Sequence, residues 1–106
     1  MWYYKNGKLV VETDVVTGNY GTNDTPKGAY SIIYKASPAT LMENSHVTFW
    51  LPFTSDGCGI HDASWRASWE YGGTRYKGHG SHGCVNTPYN AATKIYNNIS
   101  SGTRVV

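Results

Sequence analysis

The sequence is poor in charge, in cysteine and in long apolar runs. Only 15% of the 106 residues are charged, where globular proteins average about 25%, and the net charge of +2 comes from cations scattered along the chain. A nucleic-acid-binding protein clusters Lys and Arg on one face. No stretch approaches the roughly 18 apolar residues of a membrane span. We therefore expect neither a nucleic-acid partner nor a membrane span, and two cysteines allow at most one disulfide.

Aromatic and turn-forming residues are abundant instead. The chain has nine Tyr, four Trp and 12 Gly, a composition typical of a strand-rich, turn-rich fold and unlike coiled coils, collagen or charged disordered chains. Residues 1–106 suffice for one domain with its own core, whereas two halves would be too small. The first residues lack the basic and apolar regions of a signal peptide. We expect the core of a longer exported protein whose export signal is missing here.

The hydrophobic pattern predicts mostly strands. Asn6-Gly7 between β-rich flanks predicts a two-residue hairpin, because both residues tolerate the positive φ of a type I′ turn. Further strands are predicted over residues 29–35, 46–53 and 58–62. In the second of these, alternation places Val47, Phe49 and Leu51 on one face and Trp50 on the other. The chain should therefore fold around short, alternating strands.

Loops and one helix complete the predicted organisation. Polar or irregular segments are predicted over residues 18–28, 38–45 and 63–80, the second with room for a short helical turn. The third is long enough to indicate a functional loop. A helix is predicted after Thr87 as N-cap and Pro88 as first helical residue, with apolar residues at helical spacing and a stop at Gly102.

The residues able to do chemistry lie in two short strings, GIHD (59–62) and SHGCVN (81–86). A thiol becomes a strong nucleophile when an imidazole, a helix N-terminus or backbone amides favour its thiolate. Cys84 has candidates for all three: His61 or His82 as base, the start of the predicted helix, and amides freed by Gly83 to form an oxyanion hole. The sequence therefore predicts an ionised or readily ionised thiol at Cys84.

Two other uses of the same residues remain open at this level. Zinc could take donors from among His61, Asp62, His79, His82 and Cys84, although their spacing is not that of a strong zinc motif. A disulfide between Cys58 and Cys84 is disfavoured by strand alternation. If 58–62 is a regular strand and His61 faces Cys84, then Cys58 faces away, unless Gly57 and Gly59 introduce a bulge.

At these two strings the sequence resembles the L,D-transpeptidase catalytic domain, also called the YkuD-type domain. The family carries an upstream His followed by [Ser/Thr]-His-Gly-Cys-x-Asn, which matches His61 and residues 81–86. The flanks TPKG (25–28), HDASW (61–65) and Thr87-Pro88 agree as well. The resemblance covers nearly the whole chain. It implies a YkuD-like β-sandwich or barrel-like domain with one C-terminal α-helix and a long catalytic-site loop.

The resemblance also implies the reaction and its partners. Family members attack peptidoglycan stem peptides before the fourth-position D-Ala, form a cysteine thioester and pass the acyl group to a neighbouring stem, giving 3→3 cross-links. It implies carbapenem acylation at the cysteine, location at the bacterial cell wall, and no metal or other cofactor. We further expect a monomer.

By the same resemblance, each site residue receives an expected role. Cys84 is the nucleophile and His61 the base, oriented by the backbone carbonyl of Asp62. Backbone amides near His82, Gly83 and Cys84 are expected to hold the oxyanion, and Ser81 is counted among the catalytic residues. The substrate is expected to contact Gly57, Trp65 and Asn86. Spacing alone leaves His82 open as the base, since in an extended strand it would face the same way as Cys84. Cys58 is expected to be incidental.

Two other functions remain open from the sequence. The same thioester could pass its acyl group to water, which would make the protein an L,D-carboxypeptidase or endopeptidase. The many aromatic residues and the low charge would also suit a wall-binding module without catalysis. A papain-like peptidase is disfavoured because there the Cys precedes the His in the chain.

Overall fold

The computed structural model describes residues 1–41, 45–67, 69–78 and 80–106. Within these ranges the chain is mostly strands with one α-helix near the C-terminus, as predicted. The elements are β1 Trp2–Lys5, β2 Lys8–Glu12, β3 Tyr30–Ser31, β4 Ala39–Thr40, β5 His46–Val47, β6 Trp50–Pro52, β7 Gly59–Asp62, β8 Val85–Thr87, α1 Tyr89–Asn98 and β9 Arg104–Val105. A short 3₁₀ helix spans Arg75–Lys77. The described strands form one three-stranded sheet and three two-stranded pairs.

The predicted hairpin is confirmed in β1 and β2. Asn6 and Gly7 both have positive φ, 52° and 77°, as a type I′ turn requires. The two strands pair antiparallel, with an irregularity in register after Tyr3. Tyr3 lies opposite Val11, and both side chains are buried in the core. The hairpin thus begins the core that the rest of the chain completes.

The three-stranded sheet β6–β7–β8 lies at the centre of the site. β6 and β7 run antiparallel, whereas β7 and β8 run parallel. Ile60 pairs with Val85, and both belong to the buried core cluster, which also includes Ile95 of α1. Because alternate residues of a strand face opposite sides, the residues flanking this pair face away from the core. His61 is therefore on the outer face of the sheet.

The predicted continuous strand over 46–53 is wrong, because β5 and β6 are separated. The carboxylate of Asp62 accepts hydrogen bonds from the backbone N–H groups of Thr48 and Phe49 at 2.8–3.1 Å. These two amides therefore do not join a strand ladder at the bend. The predicted apolar face is buried as expected, and Trp50 is buried too.

Two neighbouring segments also differ from the predicted pattern. The strand predicted over 29–35 is regular only in β3. Beyond it, the N–H of Ile32 bonds to the carbonyl of Thr103 and that of Ile33 to the carbonyl of Pro52. The chain therefore crosses from the β3–β9 pair towards β6 of the three-stranded sheet. The connector predicted over 38–45 contains β4, which pairs with β5, and not a helical turn in its described part. Residues 42–44 lie outside the described residues.

The helix is confirmed, but its predicted start is wrong. Thr87 is the last residue of β8, and its hydroxyl donates to the carbonyl of Val85 rather than to the helix. Pro88 occupies the N-cap position, with φ −55° and ψ 141°. Ala92 and Ile95 are buried, as the helical spacing predicts. Gly102, at φ 89°, forms a turn beyond the end of α1.

The predicted irregular segments contain no long strand in their described parts. Val16 forms an isolated bridge to Asn86 on the edge of β8 away from β7, and Gly18 forms one to Ser81, before β8 begins. The described parts of the segment 63–80 consist of turns and bends beside the 3₁₀ helix. Among the described residues, no helix has the length and apolarity needed to cross a membrane.

We predict that Asp62→Asn lowers the free energy of unfolding by about 2 kcal/mol, because the buried carboxylate accepts charge-assisted hydrogen bonds from two backbone amides. Urea unfolding followed by circular dichroism measures the change. Asp24→Asn is the control: that carboxylate accepts a bond from Gly21 at an exposed turn, and the expected change is below about 0.5 kcal/mol. Equal losses for both variants would contradict the prediction.

Candidate active site

A cavity of about 570 Å³ opens on the outer face of the three-stranded sheet. Seven of the sequence-predicted site residues line it: Gly57, His61, Trp65, Ser81, His82, Cys84 and Asn86. The predicted residues Asp62 and Gly83 are buried beside it rather than in its wall. The two short strings of the sequence, separated by the long loop, therefore meet at one cavity.

The parallel register brings Cys84 and His61 to the same cavity. His61 pairs with Asn86 across β7 and β8, so both side chains face the cavity, and Cys84 comes directly before β8. Gly59 leaves space on this face for a neighbour. A Cβ at Gly59 would lie 2.7 Å from the ring of Trp50 and from the carbonyl oxygen of Leu51. A side chain at this position would therefore displace Trp50.

His61 is held firmly in one orientation. The residue is only 4% exposed, and its Nδ1 lies 2.6 Å from the carbonyl oxygen of Asp62. Since a carbonyl can only accept, Nδ1 carries the proton, and in the neutral ring Nε2 is an acceptor. The rings of Trp50 and Trp65 flank the imidazole at 5.9 and 5.7 Å between centroids. The predicted contact with the Asp62 carbonyl is present.

The electrostatics of His61 favour the neutral ring. Burial lowers the pKa of His61 below its ordinary value of 6.5. The hydrogen bond to the Asp62 carbonyl and the charge of the Asp62 carboxylate act in the opposite direction, but they do not cancel the effect of burial. At neutral pH the imidazole is therefore able to accept a proton.

The sequence predicted an ionised or readily ionised thiol at Cys84, whereas its surroundings in the structure favour the neutral thiol. Burial raises the pKa of Cys84 above its ordinary value of 9.0; a hydrogen bond from the backbone of Gly59 opposes the rise, and the neighbouring Cys58 adds to it. The thiol lies 3.6 Å from the carbonyl oxygen of Gly57. The predicted help from the helix is absent: α1 starts five residues further on, roughly 15 Å along an extended chain, and its dipole acts only near its first turn.

The segment 81–84 is a turn and not a strand. Gly83 has φ 129°, a conformation that favours glycine. The hydroxyl of Ser81 donates to the Cys84 carbonyl and accepts from the Gly83 amide. The alternation that would have put His82 beside Cys84 is therefore broken, and His82 is exposed. The Gly83 amide, predicted as an oxyanion donor, is already bonded to Ser81.

The predicted position of Cys58 is wrong. Cys58 precedes β7 rather than belonging to it, so strand alternation does not turn it away. Its sulfur lies 3.3 Å from where a Cβ at Gly83 would be, and it lines the same cavity as Cys84. Both cysteines are free thiols. Gly57 adopts φ 102° in the bend before Cys58, and β6 and β7 pair in regular register, without the bulge that Gly57 and Gly59 would have allowed.

Asn86 is 2% exposed and lines the cavity. Its backbone forms two hydrogen bonds with Val16. Its side-chain oxygen has no hydrogen-bond partner among the residues that the structure describes. A buried amide oxygen without a partner is costly, and one that borders a cavity is placed to accept a bond from a ligand.

The long loop divides into a cavity wall and a packed part. Trp65 is 52% exposed and lines the cavity. Tyr71 instead donates its hydroxyl to the carbonyl of Ala63, and Tyr76 packs edge-to-face against Tyr20. Outside the gaps at 42–44, 68 and 79, no group of three or more His, Cys, Asp or Glu side chains could hold a metal ion. His79, considered above as a zinc ligand, lies outside the described residues.

Sequence reasoning missed Trp50 and the carboxylate of Asp62. A signal for Trp50 was present: it is a large aromatic residue on the strand face opposite Val47, Phe49 and Leu51, where solvent-facing polar residues are usual. No local pattern could assign the Asp62 carboxylate, because its partners lie 13 and 14 residues away in the chain.

Comparisons with known proteins agree with this architecture. The family model of the L,D-transpeptidase catalytic domain matches residues 1–106. Among solved structures, an Enterococcus faecium L,D-transpeptidase carrying a cysteine-to-serine mutation is 40% identical, with a TM-score of 0.91 over 99% of this chain and 44% of that chain. The E. faecium catalytic domain acylated by ertapenem is 38% identical, with a TM-score of 0.80 over 99% and 85%.

A more distant structure, an L,D-transpeptidase from Stackebrandtia nassauensis, is 28% identical, with a TM-score of 0.79 over 98% of this chain and 47% of that chain. No curated protein matches the chain. The chain spans less than half of the length of the mutant E. faecium and S. nassauensis chains. With the family model covering every residue, and the expected His and Cys at one cavity, the chain belongs to the family of L,D-transpeptidase catalytic domains.

Proposed function

We propose that this domain is a cysteine-dependent L,D-transpeptidase in which Cys84 is the nucleophile and His61 the base. The observation that carries the proposal is the state of His61 beside the cavity. Its Nδ1–H is committed to the Asp62 carbonyl, and burial keeps the ring neutral, so Nε2 is the acceptor. Cys84 and His61 line the same cavity. A neutral thiol with a neutral imidazole is suited to proton transfer during attack.

The first half-reaction acylates Cys84. The thiol proton passes to Nε2 of His61 as the sulfur attacks the carbonyl carbon of the third stem residue. When the tetrahedral intermediate collapses, the C–N bond to D-Ala breaks, and the imidazolium returns its proton to the leaving amine. The products are a thioester on Cys84 and free D-Ala. Burial supports this order of events because it raises the pKa of the thiol and lowers that of the imidazole, which disfavours a resting ion pair.

The second half-reaction transfers the acyl group. An amine of a neighbouring stem loses a proton to His61 and attacks the thioester, the C–S bond breaks, and the thiolate regains the proton from the imidazolium. The new amide is a 3→3 cross-link. The indole of Trp65 walls the cavity beside His61, where it would shield the thioester from water and so favour the amine as acceptor.

The developing oxyanion requires backbone donors near Cys84. The Gly83 amide already donates to the hydroxyl of Ser81. We therefore assign the hydrogen bond to the oxyanion to the amide of Cys84 itself. Ser81 and Gly83 then support the turn. This differs from the sequence-based expectation, which placed the oxyanion among the amides of His82, Gly83 and Cys84 together.

The substrate contacts follow from the cavity wall. Asn86 presents a buried amide oxygen that has no hydrogen-bond partner within the described part of the chain, and it would accept a hydrogen bond from a substrate N–H. Trp65 would pack against the stem peptide. Gly57 is assigned to the thiol rather than to the substrate, since its carbonyl faces the sulfur of Cys84. A peptidoglycan substrate implies action at the cell wall, outside the cytoplasmic membrane, and an E. faecium relative acylated by ertapenem supports carbapenem inhibition.

We predict that incubation with a disaccharide-tetrapeptide gives a dimer whose mass is that of two substrates less one D-Ala. Cys84→Ala should give no product, because the thioester cannot form. Cys58→Ala, the same substitution at the other thiol, should still give the dimer. Mass spectrometry of the products measures both.

The same measurement separates the alternative functions. A tripeptide without dimer would indicate a carboxypeptidase that passes the thioester to water. No product, together with no adduct at Cys84 after treatment with ertapenem, would indicate a wall-binding module without catalysis.

We predict that His61→Ala lowers the rate of Cys84 acylation by ertapenem by about 10²–10³-fold, because general-base catalysis is lost. His82→Ala should lower it by less than about tenfold, since His82 is exposed in a turn that breaks its alignment with the thiol. Single-turnover mass spectrometry measures the rates. A large loss for His82→Ala with little loss for His61→Ala would reverse the assignment of the base.

We predict that the acylation rate rises with pH along a limb centred below 6.5. The pKa of His61 is lowered, so its imidazole loses its proton and can act as a base at a lower pH than an ordinary histidine. Alkylation of Cys84 by iodoacetamide, which requires the thiolate, should instead rise with a pKa above 9.0. Peptide mass mapping reads both rates at Cys84. An alkylation pKa below that of His61 would indicate a preformed thiolate–imidazolium pair and contradict the neutral mechanism.

A further inference from the structure

We propose that Thr25 is a positioning residue for the acylation chemistry: its hydrogen bond to the Gly83 carbonyl sets the direction of the Gly83–Cys84 peptide and so aims the Cys84 amide at the oxyanion. The inference rests on the proposed function of Cys84 and goes beyond it, because Thr25 lies 59 positions before the cysteine in the chain and does not line the cavity.

The direction of the Thr25 hydroxyl bond is determined by its two partners. The oxygen lies 2.7 Å from the carbonyl oxygen of Gly83 and 2.8 Å from the amide nitrogen of Gly18. Gly18 can only donate, so the hydroxyl accepts there and uses its single proton for Gly83. The Gly83 carbonyl is thus held by a donor that cannot turn elsewhere without losing a bond.

Peptide planarity carries this orientation to Cys84. In a trans peptide the C=O and N–H bonds point in opposite directions, so the Cys84 N–H points away from Thr25. Gly18, which donates its amide proton to the Thr25 hydroxyl, forms an isolated bridge to Ser81 in the turn before β8. The Cys84 amide is therefore directed away from the loop that carries Thr25, and the sulfur of the same residue lies 3.6 Å from the Gly57 carbonyl.

Glycine at position 83 makes an external contact necessary. Without a Cβ, Gly83 has access to both signs of φ, and its observed φ of 129° is not enforced by its own side chain. Ser81 braces the turn from within, through the Gly83 amide and the Cys84 carbonyl. It does not bond to the carbonyl of Gly83. Thr25 supplies this missing contact.

The loop that carries Thr25 packs closely against residues 80–83, which contain most of the turn before Cys84. A Cβ at Gly18 would lie 1.7 Å from the Asn23 carbonyl oxygen, and one at Gly80 would lie 2.5 Å from the Asn19 Cα. The amide of Asn19 donates to the Ser81 carbonyl at 2.8 Å, and its side chain accepts from the Gly80 amide. Backbone contacts of this kind leave Thr25 little freedom to move away from Gly83.

The test compares two reactions of the same sulfur. Acylation by ertapenem passes through an oxyanion, whereas alkylation by iodoacetamide does not. Thr25→Val, which keeps the shape and removes the hydroxyl, should slow acylation of Cys84 by about tenfold or more and change alkylation by less than about twofold. Thr25→Ser, which keeps the hydroxyl, should restore acylation. Thr22→Val is the matched control, because its hydroxyl bonds to Asn19 at an exposed position of the same loop.

Every outcome decides the matter. Normal acylation of Thr25→Val, or equal slowing of both reactions, would overturn the proposal, since a merely structural role slows both together. If Thr25→Val does not fold, Thr25→Ala is tested instead. If the chain folds only with Ser or Thr at this position, the hydroxyl serves stability, and the proposal is overturned. Absence of acylation in the unaltered protein would overturn the proposed function first, and the inference with it.

Discussion

The parallel pairing of β7 with β8 determines the geometry of the site. Ile60 lies opposite Val85, both are buried in the core, and the residues on either side of each face the cavity. A slip of one residue would turn His61 into the core and expose Ile60, which hydrophobic burial prevents. The same apolar contacts that stabilise the domain therefore hold His61 and Cys84, the proposed base and nucleophile, on one face, although 22 residues separate them in the chain.

The chemistry is arranged by burial and backbone groups rather than by charge. The sequence has few charged residues, and backbone groups contact the two proposed reactive side chains: the Asp62 carbonyl bonds to His61, and the Gly57 carbonyl and the backbone of Gly59 bond to the thiol of Cys84. Burial lowers the pKa of the imidazole and raises that of the thiol, so both are neutral at rest. In the proposed reaction, a neutral pair would develop charge only as the sulfur attacks, and fixed backbone dipoles would stabilise that charge.

Two polar side chains outside the cavity organise the backbone around it. The Asp62 carboxylate accepts hydrogen bonds at the bend between β5 and β6, while the backbone carbonyl of the same residue orients His61. The Thr25 hydroxyl donates a hydrogen bond to the carbonyl of Gly83 in the turn 81–84. Each replaces backbone pairing that an irregular segment lacks. Side-chain hydrogen bonds therefore hold these irregular segments where strand ladders are lacking.

Local sequence patterns determined the hairpin at Asn6-Gly7 and the amphipathic helix, and they pointed to Cys84 as a reactive thiol, because turn conformation, helical periodicity and reactive residue types are properties of short segments. The choice of His61 over His82 as its partner came from the family resemblance and not from a local pattern. Only the tertiary structure decided the break after Val47, the end of β8 at Thr87, the place of Cys58 beside Gly83 and the protonation of Cys84. Each of these depends on a carboxylate, a strand partner or a degree of burial supplied from elsewhere in the chain. Burial and long-range hydrogen bonds form only when distant segments meet, and no short stretch of sequence contains both partners.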